Sequence, residues 1–463
     1  MNDKNSLSGV FKAYDIRGLA PEQIDTDFAL RLGKAVVAEL APKKVLVGRD
    51  MRTTSFSLES SLIEGLTGSG VDVVRIGLCS TPMFNVLLGL AGGTFDLGIM
   101  ITASHNPGKY NGFKLTKGDC LPIGEGGGME QVRDAFLSSK EIKSDKVGTV
   151  TDDATALDRY LDHILTLAKM PDGMPKIKVA IDAGNGMAGA VLPKLLSRLP
   201  WLETVPLFFE PDGTFPNHEA NPLKVETLDH LISVVKSDGC ALGVAFDGDA
   251  DRVGFVDEKG VPISGDLMTA FLAEEILKDK PGGLVHYDVR SSWAVPEAVN
   301  RAGGKSSMCM VGHAKIKKLM RETGAVFSGE LSMHFYFSDL WNCESGDLAM
   351  LLVIRRMIEI KKPLSELFAP IKTFFHSGEI NFEVEDKQGA IARIENTYGP
   401  KAVLIDKTDG VRLEFRDPAV KADDWWVSVR ASNTEPLLRL NIEAATPEKL
   451  AEKVQELSAL IKL

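Results

Sequence analysis

Short runs of β-branched and other apolar residues recur along the chain, and each ends on an acidic residue: Val45-Leu46-Val47-Gly48-Arg49-Asp50, Val179-Ala180-Ile181-Asp182 and Leu284-Val285-His286-Tyr287-Asp288. Such runs lack the polar alternation of a half-exposed strand and predict strands buried on both faces. Helix-like stretches follow at residues 57–69, 188–199 and 294–302, so strand and helix alternate as in βαβ units. Downstream, each segment reaches a second apolar run that empties into a polar loop. Residues 97–101 precede Thr102-Ala103-Ser104-His105, residues 242–246 precede Asp247-Gly248-Asp249, and residues 324–327 precede Ser328-Gly329-Glu330. Ligand groups collect at such strand ends in α/β sheets. The threefold pattern predicts three related mixed α/β domains, each presenting one loop to a shared cleft.

Past residue 371 the pattern changes. Alternating runs at 378–384 and 437–442 and an amphipathic stretch at 447–460 predict a smaller C-terminal α+β domain closed by a helix. Polar seams carrying Gly or Pro near 148–153, 257–260 and 361–373 divide the chain into 1–150, 151–257, 258–370 and 371–463.

Composition narrows the function classes. A chain of 463 residues, 44% hydrophobic and 25% charged, has core enough for several folded domains and no charge block of the kind found in disordered tails. Its formal charge of −11 repels nucleic acid and anionic membranes at long range. An anionic small molecule would therefore need a local positive pocket. Cysteines 79, 120, 240, 309 and 343 are odd in number, scattered and never paired as C-x-x-C, which signals neither a disulfide framework nor a zinc site. With no signal-peptide pattern and no apolar run of membrane-span length, the expected location is the cytoplasm.

The loops carry the chemistry. Asp247-Gly248-Asp249-Ala250-Asp251-Arg252 sets carboxylates at alternate positions directly after an apolar strand, where a Gly-assisted turn can fold all three onto one divalent cation. An all-oxygen donor set favours Mg²⁺, Ca²⁺ or Mn²⁺ over zinc. The spacing to Glu258 imitates an EF-hand, but Arg252 stands where the obligatory glycine belongs and the flanks read as strands, so that reading fails. In Thr102-Ala103-Ser104-His105-Asn106-Pro107 a hydroxyl lies between other polar groups and can carry a phosphoryl group, although His105 can equally serve the turn alone. Arg430-Ala431-Ser432-Asn433-Thr434-Glu435-Pro436 gathers a guanidinium, hydroxyls, an amide and backbone N–H groups suited to a phosphate dianion, or to a plain connecting turn. Gly329-Glu330-Leu331-Ser332 offers a carboxylate and a hydroxyl that can read vicinal sugar hydroxyls.

Taken in order, these four loops resemble those of the α-D-phosphohexomutase family, in particular its bacterial phosphomannomutase/phosphoglucomutase branch, and the resemblance spans essentially the whole chain. It implies three related α/β domains and a smaller α+β domain around a central active-site cleft. It also implies that phosphorylated Ser104 exchanges its phosphoryl group with a hexose 1- or 6-phosphate, with hexose 1,6-bisphosphate as intermediate and activator. One Mg²⁺ per chain would be held by Asp247, Asp249, Asp251 and Ser104, with Arg252 as a second positive contact. The matching residues assign base roles to Lys114 in Asn111-Gly112-Phe113-Lys114 and His313 in Gly312-His313-Ala314-Lys315, and place Arg17, in Tyr14-Asp15-Ile16-Arg17-Gly18, and His105 near the phosphoserine. Tyr14 and Gly312 join the substrate contacts. Glu330, Ser332 and His334 would read the sugar, while Arg430, Ser432, Asn433, Thr434 and Arg439 would grip the distant phosphate. Arg290 falls where related enzymes often place a substrate-binding lysine.

One position departs from the family pattern: Met333 stands where the sugar loop usually has its second glycine. If the turn needs a positive φ there, methionine strains it, and otherwise it crowds the sugar or shifts His334. Asn433 favours the phosphomannomutase/phosphoglucomutase branch over phosphoglucosamine mutases. The expected partners are small hexose phosphates, without nucleic acid or membrane, and no segment fixes an oligomeric state. Three other readings stay open: a phosphoglucosamine mutase, a Mg²⁺-dependent phosphatase with Asp247 as nucleophile, and a sugar-phosphate-binding homologue weakened by Met333.

Overall fold

The apolar runs become the central strands of related sheets. In the computed structural model the described residues are 7–142, 144–171, 173–417, 419–431 and 437–462. Strands β1 (Ile16–Leu19), β2 (Lys44–Arg49), β3 (Asp72–Leu78), β4 (Leu97–Ile101), β5 (Tyr110–Lys117) and β6 (Val150–Asp152) form one sheet in the order β1-β5-β4-β2-β3-β6. A second sheet joins β7 (Ile177–Asp182), β8 (Leu202–Leu207), β9 (Leu242–Phe246), β10 (Val253–Asp257) and β11 (Pro262–Ile263) in the order β11-β10-β9-β7-β8. The third repeat supplies β12 (Leu284–Asp288), β13 (Lys305–Cys309) and β14 (Phe327–Gly329).

The repeat seen in the sequence is therefore a repeat of topology. Its first strand always lies between two parallel neighbours: β2 between β3 and β4, β7 between β8 and β9, β12 between β13 and β14. In the first two copies the second strand also continues into an antiparallel partner, β4 into β5 and β9 into β10. The Ser104 loop and the aspartate loop are the turns of these two hairpins. All five residues of β4, of β9 and of β10 are buried, which is why none alternates with polar positions. The third repeat differs from the sequence reading. Residues 324–326 are not strand, because the helix His313–Thr323 runs up to Gly324, whose φ of +68° ends it, and β14 begins only at Phe327.

By packing, the chain divides into two units. The first runs to Ser264 and adds Lys317–Glu322 and Ser332–Ser365, including the hairpin of β15 (Phe335–Phe337) and β16 (Cys343–Glu344). The second holds Gly265–Ile316, Thr323–Leu331 and the chain from Glu366 onward. Its C-terminal part is an antiparallel sheet of β17 (Phe375–His376), β18 (Ile380–Phe382), β19 (Leu404–Asp406), β20 (Val411–Phe415), β21 (Trp425–Ala431) and β22 (Leu438–Ala444), with β17 and β18 both paired to β22. Val427, Val429, Leu438, Leu440 and Ile442 alternate into a core with Ile394 and Leu457 from two helices, Lys387–Tyr398 and Pro447–Ile461. The closing helix starts as its sequence suggests: Thr446 caps it, accepting from the Lys449 N–H, and Pro447 takes the first turn.

Behind the Ser104 sheet, helices Thr26–Leu40 and Ser55–Gly68 approach through paired glycines. A Cβ on Gly65 would lie 2.3 Å from the Leu30 carbonyl oxygen, and one on Gly33 2.6 Å from that of Leu62. Alanine gains about 1 kcal/mol of helix propensity over glycine, but here it forces backbone against backbone, at about 1–3 kcal/mol. Gly65→Ala is therefore expected to lower the thermal unfolding midpoint by several degrees. Gly68→Ala in the same helix meets open space and should leave the midpoint equal or higher. Equal midpoints for both variants would show that the helices part freely.

Candidate active site

The turn from β4 to β5 holds Ser104 at φ +52°, a conformation non-glycine residues seldom adopt. One buried guanidinium fixes it. Arg52, on the turn after β2, donates from Nη2 to the carbonyls of Ser104 (2.8 Å) and Asn106 (2.5 Å), and from Nη1 to those of Pro107 and Tyr110 (both 2.9 Å). Its Nε donates to Asp50 at 3.1 Å, and the Phe215 ring lies 5.2 Å from the guanidinium carbon. One guanidinium thus joins four carbonyls of the loop, and the loop is over-determined. Within it, the Ser104 hydroxyl donates to Asp247 Oδ2 at 3.2 Å and lies 3.2 Å from His105 Nδ1.

The turn from β9 to β10 folds as the alternating aspartates require, with Ala250 at φ +62°. Asp247, Asp249 and Asp251 are all buried, and each offers an oxygen within 4.8 Å of the others. Asp249 Oδ2 accepts from Thr81 Oγ1 at 2.5 Å and from Lys114 Nζ at 2.6 Å, and Lys114 also donates to Asp251 at 2.8 Å. Burial, then the neighbouring Asp251 and Asp249 charges, push Asp247 well above the usual carboxylate range. Burial also works to raise Asp251, but Lys114 and His334 outweigh it and hold that group well below the range. Asp249 Oδ1 is buried with no hydrogen-bond partner among the described residues. An orphaned carboxylate oxygen, a carboxyl that resists ionisation and an all-oxygen donor set fit a hard divalent cation such as Mg²⁺.

Further predicted residues gather here. Arg252 donates its backbone N–H to Asp247 Oδ1 at 3.1 Å, and its Nε lies 3.9 Å from Asp247 Oδ2 and 3.3 Å from His334 Nε2. His334 Nε2 is also 3.2 Å from Asp251, and its Nδ1 is 3.1 Å from Ser332 Oγ. Arg17 pairs with Asp15 and donates to Asn106 Oδ1 at 2.9 Å. Burial first, then the charges of Arg252 and Arg17, push His105 well below the ordinary histidine range, so it stands as neutral imidazole. Tyr14 is half-buried just ahead of β1.

The second unit gathers another set. Arg290 grips Asp288 through Nε (3.0 Å) and Nη2 (2.7 Å). Glu330 accepts from the Gly312 N–H at 3.1 Å, and His313 opens the helix that follows. Arg430 and Arg439 face each other across β21 and β22, and both, with Arg290, reach Glu379. Ser432, Asn433 and Thr434 lie outside the described residues. Of the loop around Glu330, Glu330 itself belongs to the second unit, and Ser332 and His334 belong to the first.

Arg52, Thr81 and Glu379 are absent from the sequence reading, and Asp288 enters it only as the acidic end of a strand. Arg52 has a faint signal, two residues past the acidic end of a buried strand. Glu379 has none, since it falls inside the run 378–384 that reads simply as strand.

The sequence matches consecutive domain profiles of one family. Residues 8–142, 158–260 and 264–374 match phosphoglucomutase/phosphomannomutase alpha/beta/alpha domains I, II and III, and residues 379–460 match that family's C-terminal domain. A Xanthomonas campestris pv. campestris protein named for phosphohexose mutases is 39% identical over 459 residues, covering 98% of this chain and 99% of its own. A Methanocaldococcus jannaschii phosphomannomutase is 38% identical over 457 residues, covering 98% and 97%. The crystal structure of a Burkholderia thailandensis phosphoglucomutase/phosphomannomutase family protein superposes with a TM-score of 0.87 at 31% identity, covering 98% and 97%. With all four domains matched in order and identity of this level over the full length, this chain belongs to the phosphoglucomutase/phosphomannomutase family of phosphohexose mutases.

Proposed function

We propose that this mutase moves a phosphoryl group between the 1- and 6-positions of mannose and/or glucose phosphates through phosphorylated Ser104 and a hexose 1,6-bisphosphate. The observation that carries this reading is the 3.2 Å contact between the buried Ser104 hydroxyl and Asp247 at the edge of the carboxylate cluster. Asp247, Asp249, Asp251 and Ser104 would hold one Mg²⁺, which supplies charge neutralisation for the serine phosphate. In the first transfer the phosphorus–Oγ bond of Ser104 breaks as a sugar hydroxyl bonds to phosphorus, and that hydroxyl's proton passes to a base, with Lys114 and His313 as candidates. In the second, Ser104 Oγ bonds to the phosphorus of the other phosphate as that phosphorus parts from its sugar oxygen, which takes back a proton from the protonated base. Arg52 keeps Ser104 in place by holding its loop, and Arg17, His105 and Arg252 supply donors around the transferred group.

Within this proposal residues 1–150 form the phosphoserine domain, 151–257 the metal domain, 258–370 the sugar domain and 371–463 the phosphate domain. Glu330, Ser332, His334, Tyr14 and Gly312 read the sugar, and Arg290, Arg430, Ser432, Asn433, Thr434 and Arg439 hold the distant phosphate. Small hexose phosphates are the partners and the cytoplasm the location; among the described residues no helix is long and apolar enough to cross a membrane. A phosphatase with Asp247 as nucleophile is disfavoured, because both of its oxygens are already engaged, Oδ2 accepting from the Ser104 hydroxyl and Oδ1 from the Arg252 N–H.

Ser104→Ala should lose turnover by on the order of 10³-fold or more. After incubation with glucose 1,6-bisphosphate, mass spectrometry should find a phosphoryl group on the Ser104 peptide of the unsubstituted protein. Unchanged activity in the alanine variant would end the phosphoserine reading. Asp249→Asn should raise the Mg²⁺ concentration for half-maximal turnover by roughly tenfold or more, as read from a magnesium titration.

Met333 favours a functional site over a weakened one. Its φ of +67° is the strained value the usual glycine would take, but its side chain is buried, with Sδ 3.1 Å from where a Cβ on Gly254 would stand. The residue therefore fills the space over Gly254. Met333→Gly should relieve about 1–2 kcal/mol of backbone strain but lose about 2–5 kcal/mol of buried packing. The expected result is a lower unfolding midpoint with turnover retained. Activity appearing only in the glycine variant would favour a binding homologue.

A further inference from the structure

Glu379 stands on the short turn between β17 and β18, and that turn is pinned to β22. The Ser377 N–H donates to the Ile442 carbonyl at 2.8 Å, the Ile442 N–H donates back to Ser377 Oγ at 2.9 Å, and Asn441 Nδ2 donates to the Gly378 carbonyl at 3.3 Å. This fixes the carboxylate among three guanidinium groups: Arg439 Nη1 at 3.1 Å, Arg290 Nη1 at 3.5 Å and Arg430 Nη2 at 3.5 Å.

Two features show that the arginines, rather than the glutamate, define the site. Arg430 and Arg439 are directly opposite each other on adjacent antiparallel strands, where like charges are unfavourable without an anion between them. In addition, Arg430 Nε is buried with no hydrogen-bond partner among the described residues, so donor capacity is left over beside Glu379. The other nearby carboxylates are otherwise committed. Asp288 accepts from the backbone N–H groups of Arg290 and Leu331 and takes Arg290 in a fork at 2.7 and 3.0 Å, Glu330 accepts from Gly312, and Asp409, whose charge also acts on Arg430, accepts from the Val311 N–H at 3.1 Å. Glu379 instead makes contacts longer than the 2.7–2.9 Å of a strong charged hydrogen bond. It is also about a fifth exposed, at 22%.

We propose that Glu379 is a positioning residue that fills the anion site of Arg290, Arg430 and Arg439 in the free protein and gives way to a phosphate monoester dianion. Its carboxylate keeps the three guanidinium groups together and competes with the incoming phosphate. Binding is thereby weakened enough for a phosphosugar to leave and re-enter in the other orientation. Identifying that dianion as the substrate's distant phosphate rests on the mutase reading; the competition itself does not.

The test is titration calorimetry of the full chain with inorganic phosphate and with glucose 1-phosphate, beside steady-state kinetics. Glu379→Gln keeps the shape, removes the competing charge and leaves the arginines with an unbalanced positive charge. It is expected to bind both ligands tenfold or more tightly and to lower KM and kcat together as release slows. Tighter binding of glucose 1-phosphate alone would place the gain in sugar contacts and overturn the proposal, as would equal or weaker phosphate binding by the folded variant. Should Glu379→Gln fail to fold, Glu379→Asp, with its charge retained but drawn back, should bind phosphate several-fold more tightly, and unchanged affinity there overturns the proposal equally. If the unsubstituted protein shows no mutase turnover while Glu379→Gln still binds phosphate more tightly, the mutase reading fails and the Glu379 proposal stands. Mutase turnover in the unsubstituted protein, with phosphate affinity unchanged in Glu379→Gln, keeps the mutase reading and overturns the Glu379 proposal.

Discussion

Three buried carboxylates within 4.8 Å of one another cannot all stay ionised unless a cation joins them. The first unit meets this demand with Lys114 on Asp249 and Asp251, Arg252 beside Asp247 and His334 beside Asp251. Lys114 and His334 come from distant parts of the chain and are brought in by strand pairing, whereas Arg252 directly follows the aspartates. Lys114 lies on β5, opposite Met100 of β4, and Arg252 forms an isolated bridge to His334. The second unit presents the inverse problem, three guanidinium groups meeting at one carboxylate. In each unit a surplus of one sign, costly to bury, marks a place built to receive the other.

Holding such charges takes rigid loops, and the protein builds them with arginines that touch no candidate substrate group. Arg52 ties the Ser104 turn through four backbone carbonyls. Arg412 does the same for the Arg290 turn: its Nη1 donates to the Val289 and Ser291 carbonyls at 2.8 and 2.9 Å, and its guanidinium lies 3.8 Å over the Trp426 ring. A guanidinium suits this task because its planar fork satisfies several acceptors at once, whereas a lysine would leave carbonyls unpaired.

How much of this could be read in advance follows from the range of each interaction. Strands β2, β7 and β12 and their helices were legible because both depend on local apolar runs. The aspartate loop was legible because its three carboxylates lie within five residues. Ser104 gained meaning only from the order of the four loops, since its contact with Asp247 spans 143 positions. Met333 was flagged by its departure from a glycine pattern, and its positive φ agrees, yet the burial of its side chain over Gly254 depends on a distant strand that no local pattern reveals. Arg52 and Glu379 act wholly through partners remote in sequence, so neither spacing nor periodicity could single them out.

Lys114 illustrates how one site can serve two stages of a reaction. Burial acts to lower its pKa, but Asp249 and Asp251 outweigh burial and hold it above the ordinary lysine value, so in the free protein it is a charge clamp that keeps its proton. The balance shifts if those carboxylates are taken by another cation. Lys114 is then a buried amine with Glu344 as its remaining counter-charge, and burial weighs more heavily toward the neutral form. The same pairing that holds the carboxylate cluster together thus keeps Lys114 protonated, and under the proposed mechanism its strength as a base would be coupled to the loading of the carboxylates beside it.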